Sequence, residues 1–129
     1  MAKFKILVVD DDVNLSFLLQ QRLESEGYEA RSENSVPAGY LTSQSFKPDL
    51  VLTDINMGDQ TGFDLMRRIR NHNPRIKTIY MTGDPIRYRS VLEQEHKQHH
   101  AMCLSKPFSE HKLLESISAA HAGRDQIAA

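Results

Sequence analysis

The chain has 129 residues, of which 40% are hydrophobic and 26% charged, and this size and balance indicate one globular domain and argue against a disordered chain. Its formal net charge of −1 excludes an overall basic field of the kind that attracts nucleic acid or membrane surfaces. The sequence has no apolar stretch of about 18 residues and no signal-peptide pattern, and its one cysteine, Cys103, has no partner for an internal disulfide, so we expect a cytoplasmic protein.

The first part of the chain predicts a strand, a helix and a second strand. Residues 4–9 predict a buried strand, because the continuous apolar run ILVV at 6–9 is typical of one. The helix after it is expected to end near Gly27, a favoured residue at helix ends. Four leucines should line its inward face, namely Leu15, Leu18, Leu19 and Leu23. Residues 28–31 predict a weaker strand that lies nearer an edge of the sheet.

The middle of the chain repeats this alternation. Ser35 and Pro37 predict the cap and first turn of a helix that runs toward residue 46. Residues 50–53 predict the third strand, and residues 62–72 predict the helix that follows it. Apolar residues at three-residue spacing mark the inward face of that helix: Phe63, Met66 and Ile69.

The last part of the chain adds two more strand and helix pairs. Residues 76–81 predict the fourth strand, and Asp84–Pro85 is expected to cap a fourth helix with a thin apolar face. Residues 101–104 predict the fifth strand, and Ser109 should begin a last helix. The inward residues of that helix are expected to be Leu113, Leu114, Ile117 and Ala120. Residues 123–129 are predicted to form a frayed C-terminal tail.

Five strand and helix units joined by short connections predict an α/β fold with a parallel sheet and helices on both faces. Reactive side chains stand where four of the strands end: Asp10 and Asp11, then Asp54, Thr82 and Lys106. The functional groups of such sheets gather at the carboxyl ends of the strands. The sequence therefore predicts one pocket that holds three carboxylates, a hydroxyl and an ammonium group.

These residues lie in four short motifs, which are VVDDD at 8–12, TD at 53–54 with Gly62 after it, MTG at 81–83 and SKPF at 105–108. In this order and spacing they resemble the CheY-like receiver domains of response regulators in two-component signalling. The resemblance implies a (βα)5 flavodoxin-like fold, doubly wound around a parallel five-stranded sheet of order 2-1-3-4-5, with the receiver domain over residues 1–122. It also implies a cis peptide bond between Lys106 and Pro107.

The chemistry of the predicted pocket agrees with this resemblance. Three neighbouring carboxylates repel one another, and a divalent cation removes the conflict. Mg²⁺ prefers one or two carboxylates, so Asp11 and Asp54 are expected as direct ligands and Asp10 as a ligand through water. The family resemblance adds the backbone carbonyl of Asn56. Asp54 is the expected phosphoacceptor, while Lys106 and the hydroxyl of Thr82 are expected to contact phosphoryl oxygens.

The resemblance implies a phosphorelay regulator that takes a phosphoryl group from a sensor histidine kinase or a phosphotransfer protein. The added charge at Asp54 should move Thr82 and the fourth helix, and so control a downstream protein or a linked output domain. We expect slow self-dephosphorylation but no turnover of outside substrates. We expect no direct contact with nucleic acid or membrane, and dimerisation on activation is possible.

Two other classes of protein are less compatible with the sequence. A phosphohydrolase with an aspartate nucleophile needs a second acid two residues after Asp54, where Asn56 stands. A flavin-binding module needs a hydroxyl-rich phosphate loop after the first strand, and the aspartates there would repel a phosphate. A third alternative stays closer to the family, namely a degenerate receiver that serves as a binding module with phosphorylation-independent output.

Some positions depart from the family pattern or have a purely structural interpretation. Cys103 stands where the family usually carries Tyr or Phe, so the output of the signal is expected to be unusual. Gly58 stands where Pro is common, which is expected to loosen the loop after Asp54. Cys103 itself is expected to be a small buried residue. Asp12 is interpreted as a helix cap and Gly62 as a helix-entry residue. The histidines of the fourth helix region are not expected to bind metal, and they are His96, His99 and His100.

Overall fold

A parallel sheet of five strands forms the centre of the computed structural model, which describes residues 2–128 and the side chains of residues 2–123. The five strands are β1 (Lys5–Val9), β2 (Glu29–Glu33), β3 (Leu50–Asp54), β6 (Lys77–Thr82) and β7 (Met102–Ser105). Their order is β2-β1-β3-β6-β7 and every neighbouring pair is parallel. This is the predicted 2-1-3-4-5 order, with β2 at an edge. A short antiparallel hairpin, not predicted from the sequence, pairs β4 (Asn56–Met57) with β5 (Gln60–Thr61).

Helices cover both faces of the sheet. They are α1 (Val13–Ser25), α2 (Val36–Phe46), α3 (Gly62–Arg70), α4 (Arg89–His99) and α5 (Glu110–Ala128). Alternate residues of each central strand enter opposite cores, because side chains of a strand point to opposite faces. Ile6 and Val8 join the core beneath α1 and α5, whereas Leu7 and Val9 join the core beneath α2 and α3. The predicted α/β fold is thus confirmed.

Local signals in the sequence explain several helix ends. Asp12 caps α1 by accepting a hydrogen bond from the Leu15 backbone N–H at 3.1 Å, as predicted. Ser35 caps α2 in the same way through the Ala38 N–H. Thr61 and Asp64 form a reciprocal capping box at the start of α3. These caps satisfy backbone donors that a helix leaves unpaired at its first turn.

The structure corrects three of the expectations for single residues. Leu18 is 61% exposed and does not face the core, because the buried stripe of α1 runs through Ser16, Leu19 and Leu23. Cys103 is exposed rather than buried. Asp84 does not cap α4: its side chain accepts from the Arg87 N–H at 3.1 Å and closes a turn before the helix begins.

The C-terminal helix is longer than the sequence indicated. The backbone of α5 is helical as far as Ala128, so most of the predicted 123–129 tail continues the helix, and residue 129 lies outside the described part. The domain boundary at residue 122 stays a prediction. Within residues 2–128, none of the helices combines the length and the apolar character needed to cross a bilayer.

Candidate functional site at the carboxyl edge of the sheet

The topology of the sheet brings the predicted site residues to one edge. Asp10 follows β1, Asp54 ends β3, Thr82 ends β6, and Lys106 follows β7. The register is continuous across the three central pairs, since Val9 lies opposite Thr53, Asp54 opposite Met81, and Thr82 opposite Ser105. Because these strands are parallel and in register, their C-terminal side chains open onto the same space.

Three carboxylates meet there. One oxygen from each of Asp10, Asp11 and Asp54 lies within 4.8 Å of the others, and no other group of three or more acids, histidines or cysteines of the described residues is so close. Asp10 and Asp54 are buried, whereas Asp11 is exposed. Among the described residues, His96, His99 and His100 belong to no such group.

Lys106 reaches into the same cluster. Its Nζ lies 2.8 Å from Oδ2 of Asp10 and 3.5 Å from Oδ1 of Asp54. The backbone N–H of Lys106 also donates to the Thr82 carbonyl at 2.8 Å, which extends the strand pairing by one residue. The Lys106–Pro107 peptide is cis, as predicted. The ammonium group therefore forms its closer ion pair with Asp10, and the predicted phosphoacceptor is its second neighbour.

The environment of Asp54 disfavours its ionised form. The pKa of Asp54 is raised to about 6, first by burial and then by the negative charges of Asp10 and Asp11, against an opposing contribution from Lys106. Burial lowers the pKa of Lys106, but hydrogen bonding and charge from Asp10 and then Asp54 outweigh this, so its pKa is raised above its ordinary value. The pocket thus pairs an ammonium group whose pKa is raised with a carboxylate whose pKa is raised to about 6.

Thr82 and Asn56 occupy the two other predicted positions. Thr82 is buried, and its Oγ1 accepts a hydrogen bond from the Asp84 N–H at 3.0 Å, so its hydroxyl is engaged by the loop that leads to α4. Asn56 begins β4 two residues after Asp54 and its side chain is exposed. The role of its backbone carbonyl as a ligand stays a prediction.

Gly62 has a steric reason to be glycine. A Cβ at this position would lie 2.4 Å from the backbone oxygen of Asp54, which is far inside van der Waals contact. Gly62 is also the first residue of α3, and its N–H donates to the Ile55 carbonyl at 2.8 Å. Its role as a helix-entry residue is confirmed, and the structure adds that it lets α3 begin directly against the end of β3.

One residue that supports the site was missed. The Asn34 side-chain amide donates to the Asp10 carbonyl at 2.7 Å and to Ser16 Oγ at 2.8 Å, so it joins the end of β1 to α1. The carboxylate of Asp10 accepts from the Asp12 N–H at 2.9 Å. The position of Asn34 directly before the cap residue Ser35 was the only available signal, and an isolated asparagine in a loop does not reveal a partner 24 residues away.

The donor set of the cluster suits magnesium. Mg²⁺ binds hard oxygen ligands and uses one or two carboxylates, with water and phosphoryl oxygens completing its shell. The pocket offers three carboxylates whose mutual repulsion a divalent cation would relieve, while Lys106 already compensates part of the charge of Asp10. The residues present therefore fit the predicted ion.

A five-stranded parallel sheet of this order, with acids and a lysine at its carboxyl edge, defines a receiver domain. The chain belongs to the response regulator receiver domain family, whose model matches residues 6–118. It is similar in structure to a CheY-like receiver domain protein from Methanospirillum hungatei JF-1, with a TM-score of 0.86 at 28% identity over 97% of this chain and 98% of that chain.

Curated relatives are longer regulators. The chain is 31% identical over 122 residues to the DNA-binding transcriptional regulator NtrC of Bradyrhizobium sp. (strain RP501 Parasponia), which covers 95% of this chain and 25% of that protein. It is 32% identical over 117 residues to the transcriptional regulatory protein RprY of Bacteroides fragilis (strain YCH46), which covers 91% of this chain and 49% of that protein. The chain thus spans half or less of these relatives and is a receiver, a signalling domain of phosphorelay response regulators.

Proposed function

We propose that this receiver accepts a phosphoryl group on Asp54 from a phosphohistidine of a sensor kinase or a phosphotransfer protein. The observation that carries the proposal is the convergence of Asp10, Asp11 and Asp54 with the Lys106 ammonium at one buried edge of the sheet. A pocket of this composition combines a carboxylate nucleophile with a fixed cation for the incoming negative charge.

The chemical step uses few groups of the chain. One carboxylate oxygen of Asp54 attacks phosphorus, the bond between phosphorus and the donor imidazole nitrogen breaks, and that nitrogen recovers a proton from solvent. Lys106, 3.5 Å from Asp54, is placed to donate to an oxygen of the transferred group. Bound Mg²⁺, held by Asp11 and Asp54 directly and by Asp10 through water, would neutralise charge that develops on the phosphoryl oxygens.

The switch follows from the same contacts. A phosphoryl group adds most of two negative charges and three strong acceptors at Asp54. Thr82 lies on the neighbouring strand with its hydroxyl engaged by the Asp84 N–H, and we propose that it turns toward the new acceptors. Because Asp84 belongs to the turn before α4, this movement would reposition that helix and alter a downstream protein or a linked output domain.

The experiment is a labelling reaction with a matched control. Incubation with Mg²⁺ and a small acyl-phosphate donor should add one phosphoryl group per chain, stable to acid and labile to base, as seen by intact mass spectrometry. Asp54→Asn should abolish the label, while Asp59→Asn, which changes an exposed aspartate in the β4–β5 turn, should retain it. Labelling that survives Asp54→Asn would reject the proposal, and catalytic release of phosphate would favour a phosphohydrolase.

A degenerate receiver with phosphorylation-independent output is the second candidate. The acids and the lysine of the pocket are all present, which favours the phosphoacceptor. The exposed Cys103 at the usual aromatic position favours an unusual output. The two candidates separate on one result, because only the first predicts that labelling of Asp54 changes the α4 region.

A further inference from the structure

Helix α4 is weakly packed compared with the other helices. None of its residues is buried, whereas α1, α2 and α3 each bury three or more. Its main apolar contribution is Leu92, which packs only in part against the core beneath α2 and α3. The position of α4 on the sheet must therefore depend strongly on its few specific polar contacts.

The strongest of these contacts is made by Glu95, which faces a tyrosine and an arginine at once. The buried Tyr80 hydroxyl of β6 donates to the Glu95 carboxylate. The Arg70 guanidinium, at the end of α3, lies 2.9 Å from the same carboxylate oxygen, and the arginine and glutamate side chains are only 11% and 15% exposed. Arg70 also donates to Thr78 on β6 at 3.4 Å. We name the set of Arg70, Tyr80 and Glu95 the Glu95 lock.

The lock depends on all three members. Burial, together with the hydrogen bond to Glu95, raises the pKa of Tyr80 far above its ordinary value, so the phenol keeps the proton that it donates. A poorly solvated ion pair is stable only while both partners and their hydrogen bonds are present. Removing the carboxylate leaves the Tyr80 hydroxyl and the Arg70 guanidinium without their shared acceptor and so weakens the attachment of α4 to both β6 and α3. Removing the phenol takes away the link to β6 and leaves Glu95 with Arg70 alone.

The lock is also connected to the phosphoacceptor site. Tyr80 and Thr82 are two residues apart on β6, so their side chains point to the same face of the sheet. The Tyr80 ring packs against Phe63 of α3, with ring centroids 4.8 Å apart, and Phe63 in turn contacts Tyr88 at the start of α4. Thr82 therefore lies on the strand that carries Tyr80, so a shift of Thr82 would act on the contact between β6 and α4.

We propose that the Glu95 lock holds α4 against the sheet and that its opening sets how far α4 moves when the Asp54 site is modified. The second half of this proposal rests on the proposed phosphoacceptor function, whereas the first half does not. In this proposal Tyr80 of β6 anchors α4. The position on β7 where the family usually carries an aromatic residue is occupied by Cys103.

Hydrogen exchange measured by mass spectrometry tests the lock in the unmodified protein. Glu95→Gln and Tyr80→Phe should each raise the exchange rate of the α4 amides by about tenfold, while the amides of α1 and α3 keep their rates. Glu93→Gln and Tyr88→Phe are the matched controls, since Glu93 makes only an exposed ion pair with Arg89 and the Tyr88 change preserves its ring. Equal rates in Glu95→Gln and Glu93→Gln, or an increase shared by every helix, would overturn the proposal.

The single native cysteine provides a second measurement. Cys103 lies in a groove of about 440 Å³ between α4 and β7, which Leu92 and His96 also line. Although Cys103 is exposed as a residue, burial still raises the pKa of its thiol, so a wider groove should make the thiol react faster with a bulky maleimide. Opening of the lock should accelerate labelling several-fold in Tyr80→Phe but not in Tyr88→Phe. Unchanged labelling in Tyr80→Phe would count against α4 displacement.

The coupling to Asp54 is tested with beryllium fluoride and Mg²⁺, which together imitate a phosphoryl group on a carboxylate. In the wild type they should change α4 exchange, and in Glu95→Gln the additional change should be smaller, because α4 is already released. An equal additional change in both proteins would overturn the coupling. Absence of any change in the wild type, with phosphoryl labelling of Asp54 also absent, would instead reject the phosphoacceptor function and leave the test of the lock itself unaffected.

Discussion

Replacing the carboxylate of Asp54 by its neutral isostere should stabilise the fold. In the folded chain the pKa of Asp54 is raised from 3.8 to about 6, so between these values the folded state binds more protons than the unfolded state. The free energy of unfolding therefore falls as pH rises through this window. A difference of roughly two units corresponds to about 3 kcal/mol at neutral pH, which Asp54→Asn should recover in the absence of Mg²⁺.

The assay is urea unfolding, followed by circular dichroism, at pH 4 and at pH 7.5 in the presence of EDTA. At pH 7.5 Asp54→Asn should gain about 2–3 kcal/mol, which corresponds to a rise in melting temperature on the order of 10 °C for a domain of this size. At pH 4 the gain should nearly vanish, because Asp54 is then largely protonated in the folded wild type. The control Asp59→Asn should leave the unfolding free energy unchanged at both pH values. A gain of equal size at both pH values would refute the electrostatic reasoning, as would no gain at pH 7.5.

Three further changes test the site. Lys106→Met leaves the buried Asp10 carboxylate without its partner at 2.8 Å and should lower the unfolding free energy by about 3–5 kcal/mol in urea unfolding. The control Lys112→Met, on the exposed side of α5, should change that free energy little. Gly62→Ala should lower the unfolding free energy by about 2 kcal/mol or more, because the added Cβ meets the Asp54 carbonyl. The control is Gly83→Ala, whose Cβ meets nothing within 4 Å, and equal melting temperatures for the two variants would contradict this. Mg²⁺ at ten times its dissociation constant should stabilise the wild type by about 1.4 kcal/mol. That gain, measured by thermal shift, should shrink in Asp11→Asn and persist in Asp12→Asn, because asparagine also caps a helix.

Much of the fold was determined locally and could be predicted. The apolar run that became β1 is fully buried from Ile6 to Val9, and continuous apolar character is what a strand covered on both faces requires. The caps at Asp12 and Ser35 act within three residues of their own position. The positions of Asp10, Asp54, Thr82 and Lys106 were also predictable, because parallel strands place their final residues at one edge.

Other features depend on packing and were not accessible in this way. Cys103 lies on a strand, yet it is exposed, because α4 covers β7 only loosely, and neither periodicity nor composition measures how closely a helix packs. Asp84–Pro85 resembles a helix cap, but the chain makes a turn first and α4 begins at Arg89. The Glu95 lock joins residues from three elements, and each of them alone resembles an ordinary surface charge or strand tyrosine.

The sequence by itself determined which side chains meet at the carboxyl edge, since strand periodicity and order are local and topological properties. Only the tertiary structure decided which of those side chains form ion pairs with each other and which pKa values are shifted. Lys106 pairs most closely with Asp10, 96 residues away, and Asp54 is left with a raised pKa because burial, the largest contribution to its shift, arises only when all the elements pack together. Desolvation and long-range pairing are properties of the assembled pocket, and no single segment carries them.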